Sequence, residues 1–301
     1  MSSRRNAQKT KETVAFYLMA GPQLIGTLIF SFVPVIWSLY LSTTSGQDYM
    51  HLSFAGATNY LKMFRDENLG YEIFNTFYYA VSVVILSVGI GLLLANALNQ
   101  NIMFRSFFRV IYFLPSVTMA AAIGMVWRTM FNPSYGMINV ILGFLGIQGP
   151  SWLTDPRFMM LAVIIVGVWS SSGHNMIILL SGLNNIPRIY YEAAEIDGAT
   201  NWHKFVHVTV PLLSPVVFFV TITSTMSALK AFDIIYTLAD AGNNVDQYMR
   251  YYRTMVYGIY EKGFVQYNLG EASAEAVLLL IFIMMITLFQ FRMQKKWVHY
   301  E

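Results

Sequence analysis

The chain has 301 residues, of which 56% are hydrophobic and only 12% are charged, and its mean hydropathy is +0.50. Soluble domains carry about 25% charged residues, so this composition excludes an ordinary soluble protein and predicts a membrane protein. The net charge of +3 is small and spread along the chain, so it does not indicate nucleic-acid binding. The absence of cysteine excludes disulfides, thiolate metal sites and cysteine nucleophiles.

Six apolar stretches have the length of about 20 residues that a membrane-crossing helix needs. They cover about 14–42, 72–98, 107–131, 158–183, 212–238 and 272–291. The first stretch is too long for a signal-peptide core of about 7–15 residues, so it predicts an uncleaved span. The runs are continuous and not alternating, which favours an all-α polytopic membrane helix bundle over a β-barrel. Pro22, Pro34 and Pro115 lie inside spans and predict kinks.

The distribution of lysine and arginine predicts the orientation. With the N-terminus in the cytoplasm, eleven of these residues fall on the short inside segments and six on the longer outside segments. We therefore expect both termini and the loop 184–211 to be cytoplasmic. The predicted domains are a cytoplasmic tail 1–13, a first transmembrane helix with its outer loop 14–70, a core 71–293, and a cytoplasmic tail 294–301.

The inside loop 184–211 is amphipathic and not simply polar. A helix is predicted to start near Tyr190, and Asp197-Gly198 breaks it, because glycine tolerates the backbone conformations of a sharp bend. Apolar residues then recur at helical spacing. Pro211 is expected to open the fifth span, at a position where a helix tolerates proline.

A known family has this pattern. Glu192-Ala193-Ala194, then Gly198, and then a segment that ends at Pro211 resemble the "EAA" loop of ABC-importer permeases. Two valines stand where the family usually has isoleucine and leucine. The string YEAAEIDGAT at 191–200 is similar to the carbohydrate-uptake branch.

Shorter matches to the same family occur along the chain. They include Phe54, Gly56, Asn59 and Tyr60; Asn75 and Thr76; Arg109; Leu114 and Pro115; Trp127 and Arg128; Pro133, Gly136 and Asn139; Trp152; Trp169 and Gly173; and Pro187. The C-terminal segment 290–301 resembles the subunit type of the larger maltose permease and the glycerol-phosphate permease. The family's usual Gly-Gly-Pro after the fifth span is replaced by Ala241-Gly242-Asn243.

The resemblance implies a type I ABC-importer permease fold and import of a carbohydrate, with the protein in a bacterial or archaeal cell membrane. The chain would be a transport subunit and not an enzyme. It would bind no cofactor itself, with ATP and Mg on a partner ATPase. The implied partners are a second homologous permease, two ATP-binding cassette subunits, an extracytoplasmic solute-binding protein and the lipid bilayer, with no nucleic acid.

The energy source must lie outside the chain, because no Walker motif is present. The glycines of 21–26 have the right spacing, but Thr27 replaces the phosphate-binding lysine. The alternative function is a stand-alone secondary transporter or channel, which would need several intramembrane carboxylates. Asp233 is the only clear one in the sequence.

The docking loop supplies the first set of candidate site residues. A short amphipathic helix can lay its apolar face in a partner's groove, and a rigid connection to the adjacent spans would convert closure of the partner into helix movement. The predicted ATPase-coupling residues are Glu192, Ala193, Ala194, Asp197, Gly198 and Pro211.

The substrate path is predicted from two polar stripes. One stripe in the fifth span and one in the fourth share a helix face each: Ser224, Ser227, Ala228 and Ala231; Ser170, Ser171 and His174. From the pattern alone, close helix packing explains the small residues equally well, since such residues let helices approach. The spans of the family that match these two contribute to its translocation cavity. The sequence leaves open which sugar is carried and whether it is neutral or acidic.

Two further pairs are candidate sites. Lys230 and Asp233 stand three residues apart and are expected to pair within the fifth span. His203 and His207 have the spacing of a metal-binding pair, but no third ligand is evident, so no metal site is predicted.

Overall fold

The structure is a computed structural model, and it describes residues 16–46, 52–100, 102–239 and 249–298. The predicted tail 1–13, the turn 241–243 and the last three residues of the C-terminal tail lie outside this part of the chain. The described residues are almost all helical, which confirms the all-α class. They include a short antiparallel ribbon of β1 (Thr44–Ser45) and β2 (Ser53–Phe54), in which Thr44 lies opposite Phe54.

The helices are named here in chain order. They are α1 (Phe16–Leu41), α2 (Thr58–Arg65), α3 (Glu67–Asn99), α4 (Arg105–Val117), α5 (Ala120–Met130), α6 (Met137–Phe144), α7 (Pro156–Asn184), α8 (Arg188–Ile196), α9 (Asn201–Leu229), α10 (Asp233–Ala239), α11 (Met255–Tyr260) and α12 (Leu269–Trp297). Short π-helical segments interrupt α1 at Leu28–Phe32 and α9 at Phe205–Thr209, and a third, Glu261–Val265, follows α11.

Five described helices are long and apolar enough to cross a membrane, namely α1, α3, α7, α9 and α12. Together, α4 and α5 pass the same test, but they bend by 101° at their junction. Counted as one broken span, they give the six predicted spans. The kink predicted in the span 107–131 is confirmed, and it is sharp enough to divide the span into two helices. Pro115 lies near the end of α4 and lacks the N–H that a helix interior requires, and Thr118 has extended backbone angles.

The fifth span also differs from its predicted limits, 212–238. The helix α9 begins eleven residues earlier, at Asn201. Pro211 still stands in the first turn of the α-helical part Val210–Leu229, as predicted. The wider turn of the π-helical segment comes directly before Val210 and Pro211. At the other end α9 stops at Leu229, and α10 starts only at Asp233.

The chain forms two compact units. The first contains Met1–Asp66 and Ile259–Leu278, and the second contains Glu67–Gly258 and Leu279–Glu301. The predicted domain boundaries after residues 13, 70 and 293 follow the expected topology of the membrane spans and stay predictions.

The first unit explains the motif around Asn59. The buried side chain of Asn59 donates through Nδ2 to the carbonyl oxygens of Ser42 at 2.9 Å and Thr44 at 2.7 Å. The hydroxyl of Tyr60 shares a hydrogen bond of 2.7 Å with Ser42 Oγ. Gly56 has φ of +58°, a left-handed conformation that favours glycine. These residues therefore hold the turn that follows α1.

The second unit is built on the contact between α3 and α7, the most extensive helix pair in the described chain. Close approach is possible where one helix presents a glycine to its neighbour. A Cβ atom at Gly91 would lie 2.9 Å from Cβ of Asn175, and one at Gly173 would collide with the carbonyl oxygen of Tyr112 on α4. Both glycines thus fix the distance between α7 and a neighbouring helix.

Candidate functional site

The loop between α7 and α9 is a helix with a defined end. The backbone N–H of Gly198 donates to the Glu195 carbonyl at 3.0 Å, and that of Ala199 donates to the Ala194 carbonyl at 2.9 Å. This pair of bonds is the Schellman motif, which places a residue with positive φ after the helix. Gly198 has φ of +74°. The bend predicted at this glycine is confirmed.

A cap and two side-chain contacts join α8 to α9. The hydroxyl of Thr200 accepts from the N–H of His203 at 3.3 Å and caps the start of α9. Lys204 Nζ forms an ion pair with Glu195 Oε1 at 2.7 Å. The hydroxyls of Tyr191 and Thr209 are 3.1 Å apart. The short helix is therefore held against the first turns of a membrane span.

The outer surface of this loop is apolar. The side chains of Ile189, Ile196 and Trp202 are 67%, 87% and 73% exposed, respectively. Apolar side chains exposed together are typical of surfaces that contact a protein partner or the membrane. Of the predicted coupling residues, Glu192, Ala193, Asp197 and Gly198 are exposed beside this surface, Ala194 is half-buried, and Pro211 lies in α9.

A groove of about 440 Å³ runs between α8 and the start of α9, and residues that line it include Ala194, Asp197 and Gly198. The imidazole rings of His203 and His207, which also line the groove, are stacked with their centres 4.0 Å apart. Within the described part of the chain no three His, Cys, Asp or Glu side chains come together as metal ligands.

The seven residues of the predicted substrate path lie together. They line one cavity of about 310 Å³ in the second unit: Ser170, Ser171, His174, Ser224, Ser227, Ala228 and Ala231. His174 and Ser227 are exposed to this space, whereas Ala228 is buried. The two stripes therefore face one volume. All of these residues except Ala231, which follows the end of α9, lie on the two helices that the docking loop joins.

Four other helices complete the lining, α3, α4, α5 and, through Ile234, α10, and the sequence analysis did not predict them. Tyr79 and Ser87 come from α3, Ser116 from α4, and Ala120 from α5. The break between α4 and α5 also exposes Thr118 to the cavity. The proline in α4 indicated a kink, but nothing in the local pattern indicated which helix the kink would face.

Asn175 holds the cavity wall together. Its Nδ2 donates to Ser87 Oγ at 3.0 Å, and its Oδ1 accepts from Ser224 Oγ at 3.1 Å. The amide is buried and links α3, α7 and α9. A buried amide in a helix bundle requires partners, and here both of its ends have one.

The cavity lining mixes hydroxyl, amide and imidazole side chains with apolar ones, and the described residues that form it include no Asp, Glu, Lys or Arg. The expected pairing of Lys230 with Asp233 is wrong, because no ion pair joins them in the described residues. The helix ends at Leu229, so the two positions no longer share a helical face.

Buried charges in the second unit are structural. Glu72 and Arg253 form an ion pair through Oε1 and Nε, and both side chains are buried. Asn75 Nδ2 donates to the carbonyl of Arg253 at 2.9 Å, and Thr76 Oγ1 accepts from the N–H of Met255 at 2.9 Å. The first turns of α3 thus fasten the segment that precedes α11.

Comparison with known proteins agrees with this geometry. The model of the family described as "Binding-protein-dependent transport system inner membrane component" matches residues 87–299. The sn-glycerol-3-phosphate transport system permease protein UgpA of Agrobacterium fabrum is 35% identical over 287 residues, which are 94% of this chain and 96% of that protein. The trehalose/maltose transport system permease protein MalF of Thermococcus litoralis is 32% identical, over 93% of this chain and 92% of that protein.

A solved structure gives the fold independently of sequence. A chain in the crystal structure of a bacterial alginate ABC transporter, in complex with a pentasaccharide-bound periplasmic protein, superposes with a TM-score of 0.84. The superposition covers 96% of each chain at 22% identity. The expected permease fold is therefore confirmed. By the family model and by these relatives, the chain belongs to the inner membrane components of binding-protein-dependent transport systems, the permeases of ABC importers.

Proposed function

We propose that this permease moves a carbohydrate into the cytoplasm and that ATP hydrolysis on separate subunits drives the movement. One observation carries the proposal. Two of the helices that line the cavity, α7 and α9, are the two that the docking loop connects. A force on the loop therefore acts on both cavity walls, which is what alternating access at a midplane site requires.

The docking surface supports an ATPase partner. Its apolar side chains Ile189, Ile196 and Trp202 suit a groove in a soluble subunit, as in other helix-in-groove contacts. In this proposal Glu192 pairs with a basic residue of the groove, while Ala193, Ala194 and Asp197 form the contact surface. Gly198 sets the angle between α8 and α9. Pro211 stiffens α9 directly after its π-helical segment.

The cavity chemistry supports a carbohydrate cargo. A sugar presents several hydroxyls, and serine, threonine and histidine both donate and accept hydrogen bonds. The related permeases are named for sn-glycerol-3-phosphate, trehalose and maltose, and lactose. We propose that Ser170, Ser171, His174, Ser224, Ser227, Ala228 and Ala231 line the path of the cargo.

The proposed assembly contains a second homologous permease, two ATP-binding cassette subunits with ATP and Mg, and an extracytoplasmic solute-binding protein. It lies in a bacterial or archaeal cell membrane with both termini of this chain in the cytoplasm. The second permease supplies the other wall of the cavity, since the surfaces of His174 and Ser227 are open in the single chain.

The test is isolation of the tagged full chain from cells that make it, followed by reconstitution in liposomes. A soluble ATPase and a second permease should co-purify, and uptake of a saccharide should require internal ATP and the binding protein. Liposomes with this chain and the ATPase but without the second permease should transport nothing. Uptake by the chain alone, driven by an ion gradient, would replace this proposal with a secondary transporter.

A further inference from the structure

Two arginines at the start of α4 carry charge that the described protein does not balance. Arg105 and Arg109 lie four residues apart, so they share one face of the helix. Atoms Nε and Nη2 of Arg105 and Nε of Arg109 are shielded from solvent and donate to no described residue. No carboxylate of the described chain forms an ion pair with either side chain. The pair is thus partly desolvated and repulsive.

The position on the helix adds to this positive potential. The N-terminus of a helix carries a partial positive charge, where cations are unfavourable and anions are stabilised. Neither the helix nor an acidic neighbour in the described chain therefore compensates Arg105 and Arg109. A phosphate group would compensate the two charges, because arginine binds phosphate oxygens through charge-assisted and often paired hydrogen bonds.

The surroundings place the pair at a membrane boundary. The apolar side chains of Met103, Phe104 and Phe107 are exposed next to it. They belong to the end of a broken membrane span. Arginine at the end of a span extends its charged group to the level of the lipid headgroups. The phosphate most available at this depth is the phosphate of a phospholipid.

An apolar groove lies further along the same helix. It has a volume of about 460 Å³, and residues from α3, α4 and α7 line it, among them Leu86, Ile90, Leu94, Ile111, Tyr112 and Val168. Tyr112 follows Arg109 by three residues and Arg105 by seven, so it lies on the face that carries the two charges. The groove thus begins about one helical turn beyond Arg109, on the side of the arginines that leads toward the middle of the span.

We propose that this face of α4 binds an anionic phospholipid, with its phosphate on Arg105 and Arg109 and one acyl chain in the groove. A soluble anion would use the two charges and leave the groove empty, whereas a zwitterionic lipid would use the groove and gain little from the charges. Basic pockets between membrane helices are suited to anionic headgroups. The proposal does not depend on the cargo, and the proposed orientation of the chain assigns the lipid to the cytoplasmic leaflet.

The test uses the full chain in its complex, purified in mild detergent and depleted of lipid. Thermal unfolding is followed while phosphatidylglycerol, phosphatidylcholine, inorganic phosphate or a short-chain phosphatidylglycerol is added. Long-chain phosphatidylglycerol should raise the melting temperature at the lowest concentration. The double variant Arg105→Gln/Arg109→Gln should weaken this response about 10- to 30-fold, as expected for the loss of two surface charges. Arg292→Gln, an exposed cation near the end of α12, should not change it.

A lysine variant separates charge from folding. Arg105→Lys/Arg109→Lys keeps both charges and should retain most of the phosphatidylglycerol response that the glutamine variant loses. An equal response to phosphatidylcholine would overturn the role of the arginines. An equal response to inorganic phosphate or to the short-chain lipid would overturn the role of the groove. A full response in the glutamine variant would overturn the site. None of these melting-temperature measurements requires transport, so a result against the lipid site would not count against the proposed function.

Discussion

The Oδ1 atom of Asn175 accepts a hydrogen bond from Oγ of Ser224 at 3.1 Å, and this bond joins the helix before the docking loop to the helix after it. The same amide donates to Ser87 on α3. A movement of the loop that separates α7 from α9 must break or lengthen the bond. The bond therefore couples the spacing of the two cavity walls to a specific, buried interaction.

Replacement of this amide tests that coupling. Asn175→Leu removes both interhelical hydrogen bonds, and we expect a loss of about 1–2 kcal/mol in unfolding free energy, in the range measured for such bonds in membrane proteins. Unfolding in mixed micelles measures the loss. The control is Ser172→Ala, because the buried Ser172 hydroxyl bonds only to the Val168 carbonyl of its own helix. Equal losses in the two variants would mean that the amide does not act between helices.

The docking loop could be predicted from sequence because its geometry is local. The helix α8 ends just before Gly198 through local hydrogen bonds. The N–H of Gly198 donates to the carbonyl three residues earlier, and the N–H of Ala199 donates to the carbonyl five residues earlier, so no distant part of the chain is needed. The polar stripes of α7 and α9 could also be predicted from sequence, since helical periodicity fixes which residues share a face. Their juxtaposition in one cavity was expected from the family resemblance, because helical periodicity alone does not give the packing of one helix against another.

The remaining features depend on tertiary contacts. Ser87 and Ser116 reach the cavity because α3 and α4 pack against α7, and no local pattern encodes that choice of face. Likewise, α9 begins at Asn201 because Thr200 caps it, although Pro211 suggested a later start. The π-helical segment ends at Thr209, so Pro211 keeps the first-turn position that proline prefers in the α-helical part that follows.

The angle of the docking helix is tested at Gly198. A Cβ atom there would meet open space, so Gly198→Ala imposes only the strain of a positive φ, about 1–2 kcal/mol. Gly198→Pro is stronger, because proline requires negative φ and loses the N–H that bonds to Glu195. Both should uncouple ATP hydrolysis from uptake while the spans stay folded, with the larger effect for proline.

A matched glycine controls for backbone strain. Gly146 also has φ of +74°, and a Cβ atom added there would likewise meet open space, but it follows α6, away from the docking loop. Gly146→Ala should leave the ratio of uptake to ATP hydrolysis unchanged. Uncoupling by both alanine variants would show that general strain, and not the docking angle, is responsible.

The charge at Glu192 is expected to contribute to ATPase binding. Its side chain is exposed beside the apolar docking surface. Glu192→Lys should weaken co-purification of the ATPase, and the difference from the unmodified chain should shrink as salt screens the contact. Glu67→Lys, an exposed carboxylate in the first turn of α3, is the control and should have no effect. A salt-independent loss would point to local distortion instead of a charge contact.

Orientation is accessible to cysteine labelling because the chain contains no cysteine. A cysteine at Ala199 lies in the docking loop, and one at Ser134 lies between α5 and α6. In intact cells a membrane-impermeant reagent should label Ser134→Cys and not Ala199→Cys. After permeabilisation both should react. Labelling of Ala199→Cys in intact cells would reverse the proposed orientation and move the docking surface away from any cytoplasmic ATPase.

The cavity is tested by filling it. Ser227 is exposed to the cavity space and Ala228 is a buried part of its wall, so leucine at either position adds apolar volume where the proposed cargo must pass. Uptake should fall at least about tenfold, while basal ATP hydrolysis and docking of the binding protein remain. Ala228→Leu also overpacks a buried site, at a cost of about 1–3 kcal/mol, so Ser227→Leu is the cleaner probe.

Met226 provides the control for this last prediction, because it neighbours Ser227 on α9 but lies on another face and does not line the cavity. Met226→Leu conserves volume and apolar character, and swaps of this kind usually cost less than about 1.5 kcal/mol. Its uptake should match that of the unmodified chain. Ser227→Ala should also transport well if volume is decisive, and less well if the hydroxyl binds the cargo. Normal uptake in Ser227→Leu and Ala228→Leu would mean that this stripe is packing and that the cargo passes elsewhere.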